Sequence, residues 1–309
     1  MTAAVLFPGQ GSQYAGMADP WEQHAAGRAV LQEASDLTSR DFAGQCRDDE
    51  LLATTAFAQP ALFVCDVAAY RVLEAEGLRT SAVAGHSLGE YAALVAAGTL
   101  TFPEALGLVV ERGNAMQAAS DESPGTMLAL VGVGAADGAA IAGEAREDGV
   151  LTVANENGPK QVVLAGDVDA IERAATVAAD RKVRAVRLNV AGAFHSPLMA
   201  SALERMRAAL TTVSFSDPAF PVIANVTGEA VREGEAFREL LARHVVSPVR
   251  WEASMITLDN AGVDTFVEAG PGDVLAKLVK RTVPAGFSVT AGSPDAAAAA
   301  AAQASGDRA

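Results

Sequence analysis

Short apolar runs that end at tight turns and are followed by helical patterns recur along this sequence. Ala3–Phe7 stops at a Pro-Gly pair, Ser81–Gly85 stops at a His-Ser pair, and Thr265–Glu268 leads to a Gly-Pro-Gly turn. Buried strands that alternate with helices in this way form a parallel sheet covered on both faces. The sequence therefore predicts a large α/β domain with turns at the carboxyl ends of its strands.

The middle of the chain has a different order of elements, which predicts a small inserted domain over residues 126–192. The order is βαββαβ, the ferredoxin-like arrangement. Its strands and helices are Thr126–Val133, Ala135–Glu147, Val150–Asn155, Gln161–Ala165, Val168–Ala179 and Val183–Leu188. The insert divides the large domain into residues 1–125 and 193–292, and the second part contains a predicted strand at Val222–Val226. Residues 293–309, with alanine at every position from 296 to 302, form a low-complexity tail that we expect to be loose.

Charge and composition exclude several classes of partner. The chain has 23 Lys and Arg against 38 Asp and Glu, a net charge of −15. A protein this acidic repels the phosphates of nucleic acid and of anionic membranes. No run reaches the roughly 18 consecutive apolar residues of a membrane span, and the first apolar run is too short for a signal peptide. Two cysteines make neither a disulfide framework nor a metal pair. We therefore expect a cytoplasmic protein without a metal site.

The segment Gly85-His86-Ser87-Leu88-Gly89 has the pattern of a nucleophile elbow, and it lies between a predicted strand and a predicted helix. A sharp strand-to-helix turn needs small residues two positions either side of the serine, and it presents the hydroxyl outward. The helix N-terminus beneath it offers free backbone N–H groups to an anionic intermediate. The sequence predicts Ser87 as a nucleophile, with an ordinary helix cap as the alternative.

A serine nucleophile needs a base, and the chain has only four histidines to supply one. His195 stands in a loop beside Pro197, after the last strand of the small domain, where a side chain can face a cleft. We therefore expect His195 to be the base. His244, near the end of a predicted helix, is the competitor.

Two further features suit an acyl-transfer site. The glycine-rich turn around Gln10 follows the first strand and lacks the spacing of phosphate-binding loops, so a second oxyanion donor is its better interpretation. Arg112 lies on a helix with apolar neighbours. From the residues alone, it either pairs with a protein carboxylate or clamps the carboxylate of a substrate.

Taken together, the motifs resemble those of the malonyl-CoA:acyl carrier protein transacylases of fatty-acid synthesis and the acyltransferases of polyketide synthesis. Any one motif is weak, whereas all six in the family's order are specific. They are FPGQGSQ (Phe7–Gln13), AGHSLGEY (Ala84–Tyr91), ERGNAMQ (Glu111–Gln117), AFHSPLM (Ala193–Met199), SPVRW (Ser247–Trp251) and EAGPGDVL (Glu268–Leu275). The resemblance covers the chain to about Arg281 and implies a hydrolase-like α/β domain with a ferredoxin-like insert.

The resemblance also assigns roles to individual residues. It implies Ser87 as the nucleophile and His195 as its base, with the backbone amides of Gln10 and Leu88 forming the oxyanion hole. Arg112 then binds the free carboxylate of the malonyl group.

Two more roles follow from the resemblance. A phenylalanine before the catalytic histidine, here Phe194, accompanies selectivity for malonyl over methylmalonyl groups. The backbone carbonyl of His244 orients the catalytic histidine. Bacterial relatives often carry glutamine at this position, so the imidazole of His244 is a departure from the pattern.

The expected activity is transfer of malonyl from malonyl-CoA to the phosphopantetheine thiol of acyl carrier protein through a malonyl-serine. The expected enzyme works as a monomer without a cofactor. One alternative is a discrete acyltransferase that serves a polyketide synthase, and another is a serine thioesterase or hydrolase. A third is a catalytically silent subunit that docks carrier proteins.

Basic residues cluster at two places in this acidic chain, and acyl carrier proteins are themselves acidic. Arg181 and Lys182 border the last strand of the small domain, and Lys280 and Arg281 lie on the final predicted helix. We expect one or both clusters to receive the carrier protein, because two acidic proteins associate only where charge is segregated. The alternative is that they are solvated faces of their elements.

Overall fold

The computed structural model describes residues 2–305, and its strands belong to two sheets. In chain order the strands are β1 (Ala3–Phe7), β2 (Thr80–Gly85), β3 (Thr126–Val131), β4 (Leu151–Gly158), β5 (Gln161–Gly166), β6 (Arg184–Arg187), β7 (Val222–Ile223), β8 (Ala230–Val231), β9 (Thr265–Ala269) and β10 (Phe287–Ala291).

Helices cover both sheets. In chain order the α-helices are α1 (Ala25–Thr38), α2 (Phe42–Gln45), α3 (Asp49–Ala53), α4 (Thr55–Ala75), α5 (Gly89–Ala96), α6 (Phe102–Glu122), α7 (Ala135–Ala145), α8 (Val168–Asp180), α9 (Ala200–Leu210), α10 (Ala236–His244), α11 (Trp251–Asn260), α12 (Val274–Thr282) and α13 (Pro294–Ser305). Two short 3-10 helices lie at Asp19–Gln23 and Pro197–Met199.

The larger sheet has six strands in the order β10-β9-β1-β2-β7-β8, of which the first five run parallel. β1 lies near its middle and is buried along its whole length. Because parallel strands end at the same edge, the turns after β1 and β2 lie side by side. The predicted α/β fold is confirmed, and this edge holds the candidate site.

The smaller sheet has four antiparallel strands in the order β4-β5-β3-β6, with α7 and α8 packed against it. Together with the βαββαβ element order, this is the ferredoxin-like arrangement that the sequence predicts. The smaller sheet contacts the large domain where β4 meets the loop before α11, through a parallel bridge between Asn155 and Val249.

Helix α4 lies in the core and partly corrects the expectation that no segment reaches the apolar length of a membrane span. Among the described residues it is the one helix long and apolar enough to cross a membrane by length and composition, although it is not an unbroken apolar run. Within the protein, 89% of its apolar window is buried, as in the core helix of a folded domain. Cys65 on this helix and Cys46 are both buried and free.

The expectation of a loose tail is wrong for residues 294–305, which form helix α13. Ala297, Ala300, Ala301 and Ala304 are buried on one face, and the helix packs against α4 and β10. Alanine has the highest helix propensity, and its small side chain allows close approach to another helix. Residues 306–309 of the predicted tail lie outside the described residues.

Three elements of the second half of the large domain differ from what the sequence predicts. The strand predicted over Val222–Val226 is only β7, because Asn225 bends away to bond with the turn after β2. The helix that bears Lys280 is not the last one, since β10 and α13 follow it. Strand β10 was not predicted because its side chains are only half-buried and lack a clear apolar run.

Candidate active site

Ser87 stands at a sharp turn between β2 and α5. Its φ is +52°, in the left-handed region that a non-glycine residue rarely adopts. A Cβ at Gly85 would overlap the backbone of Gly89, and a Cβ at Gly89 would overlap the carbonyl of Phe7. The glycines on either side are therefore required by the close approach of β1, β2 and α5, as a nucleophile elbow demands.

His195 faces this serine and forms a dyad with it. Ser87 Oγ lies 2.8 Å from His195 Nε2, and His195 Nδ1 lies 2.9 Å from the backbone carbonyl oxygen of His244. A carbonyl only accepts, so Nδ1 carries the proton and donates it, which leaves Nε2 to accept from the serine hydroxyl. His195 also has a positive φ of +59°.

The surroundings of His195 favour its neutral form. Burial lowers the pKa of His195 well below its ordinary value, and the nearby His244 and Arg112 lower it further. An imidazole that stays neutral at pH 7 can take a proton, which is what a general base requires.

Arg112 is fully buried on α6, with 1% of its surface exposed, and it faces the same serine. Its Nη1 donates to Gln59 Oε1 at 2.5 Å and its Nη2 donates to Ser87 Oγ at 3.1 Å. No carboxylate lies within ion-pair distance of Arg112 anywhere in residues 2–305. A buried guanidinium without a protein counter-ion is suited to an anionic ligand.

Two adjoining cavities open onto these groups. The first, of about 80 Å³, is lined by Ser87, Arg112, His195 and Phe194, together with Gln10. The second, of about 160 Å³, also includes Gln10 and extends along α12, where Leu275 and Leu278 line it. His86 and Asn155 line both cavities, and His86 Nε2 lies 2.9 Å from Asn157 Oδ1 at their junction.

The backbone amides of Gln10 and Leu88 donate to no protein acceptor within the described chain. Leu88 precedes the first turn of α5, and Gln10 follows β1, so the two amides come from neighbouring strand ends. Buried amides are rarely left unpaired, and free ones at a helix N-terminus suit a developing oxyanion.

Three residues of the site were missed by the sequence analysis. Gln59 orients Arg112, while Glu90 and Asn225 lie buried behind the elbow. Glu90 could have been singled out, because it is a charged residue in the first turn of an otherwise apolar helix. Asn225 carries no such signal, since a single polar residue at a strand end is typical of a loop.

The four predicted docking residues lie outside both cavities. Arg181 is ion-paired with Glu144 on the small domain. Arg281 Nη1 donates to Gln161 Oε1 at 2.8 Å, which places the end of α12 beside the β4–β5 turn. Lys280 lines a separate groove of about 420 Å³ beside α13. Lys182 occupies the turn before β6, with a positive φ of +58°.

Comparisons with known proteins agree with this geometry. Residues 5–302 match the family described as acyl transferase domain. The malonyl CoA-acyl carrier protein transacylase of Bacillus subtilis (strain 168) is 40% identical over 286 residues, which cover 90% of this chain and 89% of that protein. The transacylase of Escherichia coli (strain K12) is also 40% identical, over 91% of this chain and 92% of its own.

Solved structures give the same result for the fold. The malonyl CoA-acyl carrier protein transacylase of Coxiella burnetii superposes with a TM-score of 0.94 at 35% identity, over 97% of this chain and 96% of its own. A malonyl-transacylase in complex with the holo acyl-carrier protein of a type II PKS superposes with a TM-score of 0.94 at 34% identity, over 98% and 100% of the two chains.

Proposed function

The chain belongs to the acyl transferase family, and from this premise we propose that it transfers malonyl from malonyl-CoA to the phosphopantetheine thiol of acyl carrier protein. The chain is an acyltransferase. We propose that its product, malonyl-acyl carrier protein, supplies fatty-acid synthesis in the cytoplasm. The observation that carries the proposal is the buried Arg112, 3.1 Å from Ser87 Oγ and without a protein carboxylate. It fits an acyl group that ends in a carboxylate, as malonyl does.

In the first half-reaction, Ser87 Oγ attacks the thioester carbonyl while His195 Nε2 takes the hydroxyl proton. The oxyanion accepts hydrogen bonds from the free amides of Gln10 and Leu88. When the tetrahedral intermediate collapses, the C–S bond breaks, the proton passes to the departing CoA thiolate, and a malonyl-Ser87 ester remains.

In the second half-reaction, the carrier thiol gives its proton to His195 and attacks the ester carbonyl. Collapse breaks the C–O bond and returns the proton to Ser87, which restores the enzyme. We propose that no cofactor or metal takes part, because a thioester is already activated toward a serine nucleophile. The His244 carbonyl holds the imidazole in place of a carboxylate third member.

Phe194 narrows the cavity next to the reacting serine, where it is 6% exposed. We propose that its ring occupies the space that an α-methyl group on the substrate would need. This assigns the enzyme to malonyl rather than methylmalonyl groups.

We propose that the carrier protein docks at the end of α12, with the enzyme acting as a monomer. Val274, Leu275 and Leu278 of this helix line the second cavity, and Val274 is 45% exposed, so α12 gives the phosphopantetheine arm an apolar wall to pass along. Within residues 2–305, Lys280 and Arg281 have no carboxylate partner, whereas Arg181 is neutralised by Glu144. The α12 pair is therefore the stronger candidate of the two clusters for binding an acidic partner.

The test is mass spectrometry of the protein after incubation with malonyl-CoA alone. We expect one malonyl adduct on the peptide that contains Ser87, and none in Ser87→Ala. Persistence of the adduct until carrier protein is added distinguishes a transferase from a thioesterase, which would release free malonate. An adduct on another serine, or no adduct, would contradict the proposal.

A second candidate function is supply of malonyl to a polyketide synthase, favoured by the similarity to the transacylase solved with a type II PKS carrier protein. Comparison of kcat/KM for a fatty-acid carrier protein and a polyketide carrier protein, at one malonyl-CoA concentration, separates the two pathways. A preference for the polyketide carrier would assign the enzyme to that pathway.

A further inference from the structure

The side chain of Asn225 spans the strained turn that presents the nucleophile. Its Nδ2 donates to the carbonyl oxygen of Gly85 at 2.6 Å, and its Oδ1 accepts from the backbone N–H of Ser87 at 2.8 Å. The turn exposes one acceptor and one donor, so only a side chain with both can satisfy them. Asparagine therefore fixes the backbone on either side of His86 in the conformation that gives Ser87 its positive φ.

The carboxyl group of Glu90 extends this connection to the base. Its Oε1 accepts from the backbone N–H of Asn225 at 3.0 Å, and its Oε2 lies 3.0 Å from His244 Nδ1. The second contact is close, but the two groups are not aligned as a linear hydrogen bond. His244 is the residue whose carbonyl holds His195.

We infer that Glu90 and Asn225 are positioning residues that keep Ser87 and His195 at hydrogen-bond distance for proton transfer. One oxygen of the buried Glu90 carboxyl group contacts Asn225, which holds the turn that presents Ser87. The other oxygen contacts His244, whose carbonyl holds His195. Neither side chain lines the two cavities, so neither contacts the substrate. The inference rests on the acyl transfer by Ser87 proposed above.

The protonation of the Glu90 carboxyl group indicates which substitution should preserve its contacts. Burial raises the pKa of Glu90 to about 8, although the bond from Asn225 and the charge of Arg112 oppose the rise. Burial also lowers the pKa of His244 well below its ordinary value, and Arg112 and His86 contribute. Both shifts favour the uncharged forms, a carboxylic acid beside a neutral imidazole. Glutamine is an uncharged replacement of the same shape, whose amide oxygen can accept from the backbone N–H of Asn225 while its NH2 group lies beside His244.

The test measures the rate at which a fluorophosphonate labels Ser87, alongside kcat and KM for self-acylation by malonyl-CoA. The probe loses fluoride as the serine oxygen bonds to phosphorus, so it reports the dyad without using malonyl. For Asn225→Ala and Glu90→Ala, we expect labelling and kcat to fall about 100-fold, because small misplacement of reacting groups has effects of that size. KM should stay within about twofold, and Glu90→Gln should recover most of the rate.

Asp66→Asn is the matched control, because Asp66 is a buried carboxyl group on α4 that lines neither cavity. We expect it to label at the native rate. If Glu90→Ala does not fold, Asn225→Asp decides the question, because it keeps the acceptor for Ser87 and loses the donor to Gly85. A folded Asn225→Asp that labels at the native rate would overturn the inference, as would Glu90→Gln that loses as much as Glu90→Ala.

The same experiment separates this inference from the proposed function. If the native protein is labelled by the probe but forms no malonyl ester, the proposed substrate is wrong and the positioning of the dyad is still tested. If the probe fails on the native protein, the dyad itself is wrong. A KM that rises as much as kcat falls in the variants would mean that the two residues shape the substrate site instead.

Discussion

The proposed catalytic dyad, Ser87 and His195, and the basic end of α12, Lys280 and Arg281, are held by opposite kinds of contact. At the dyad, buried hydrogen bonds hold the polar side-chain atoms, as the His244 carbonyl does for His195 and Arg112 does for Ser87. At the end of α12, Arg281 is exposed and held by one neutral side chain, while Lys280 has no partner that the described chain shows. Buried hydrogen bonds resist salt, whereas exposed charges are screened by it. Changes at the dyad should therefore act on chemistry at any ionic strength, and changes on α12 should act on association at low salt.

The largest effect, and the strongest test of this comparison, should come from removal of the proposed nucleophile Ser87. Ser87→Ala should reduce malonyl transfer by at least about 1000-fold, because removal of a covalent nucleophile leaves only binding and the oxyanion donors. The fold should be retained, since the elbow accommodates a methyl group where it holds a hydroxymethyl. Activity and a thermal unfolding curve of the variant measure both effects. Residual transfer above one tenth of the native rate would exclude Ser87 as the nucleophile.

The next largest effect concerns the buried cation. We expect Arg112→Ala to lose roughly 30-fold or more in kcat/KM with malonyl-CoA, since truncating one partner of a buried charge pair costs about 2–5 kcal/mol. With acetyl-CoA, which has no free carboxylate, the loss should be far smaller. Parallel assays with the two substrates make the comparison. Equal losses would mean that Arg112 supports the fold rather than the substrate.

The two regions also differ in how far sequence reasoning could reach. The elbow was predictable because it is coded within five adjacent residues, and the ferredoxin-like element order because each of its elements has a local sequence pattern. The link from Glu90 to Asn225 joins positions 135 residues apart, and no local pattern contains it. The same holds for α13, whose alanines form a buried face only because α4 lies against them. Local motifs can thus be predicted from a sequence, whereas residues that hold a motif in place from distant parts of the chain, such as Asn225, depend on long-range packing.

A smaller effect should come from the wall of the first cavity. Phe194→Ser should narrow the preference for malonyl-CoA over methylmalonyl-CoA by about tenfold, because one methyl group in a pocket is worth about 1–3 kcal/mol. The ratio of kcat/KM for the two substrates measures it. Phe194→Leu is the matched control, since it keeps an apolar side chain and should shift the ratio less. A native enzyme that uses both substrates equally would contradict the role of Phe194.

The dyad also predicts a weak dependence of acylation on pH. A histidine with an ordinary pKa would be mostly protonated, and so inactive as a base, at about pH 6. The lowered pKa of His195 keeps it neutral there, so the initial rate of malonyl-Ser87 formation should change less than about twofold between pH 7.5 and pH 6. Rapid-quench measurements across this range check it. A fall that follows a pKa near 6.5 would show that His195 is solvated in the working enzyme.

Among the substitutions, the smallest effect is expected at the basic end of α12, and it tests the comparison most directly. Reversing both charges in Lys280→Glu/Arg281→Glu should raise the KM for acyl carrier protein about threefold at low salt, since single exposed charges contribute little. The difference should shrink as salt is added, and self-acylation by malonyl-CoA should be unchanged, because neither residue lines the catalytic cavities. Arg181→Glu/Lys182→Glu is the matched control, and its effect should be weaker because Glu144 already neutralises Arg181. If the small-domain pair has the larger effect, the carrier protein docks there instead. If neither pair changes the KM, both clusters are solvated faces, and the contrast between a salt-resistant dyad and a salt-sensitive rim at α12 fails.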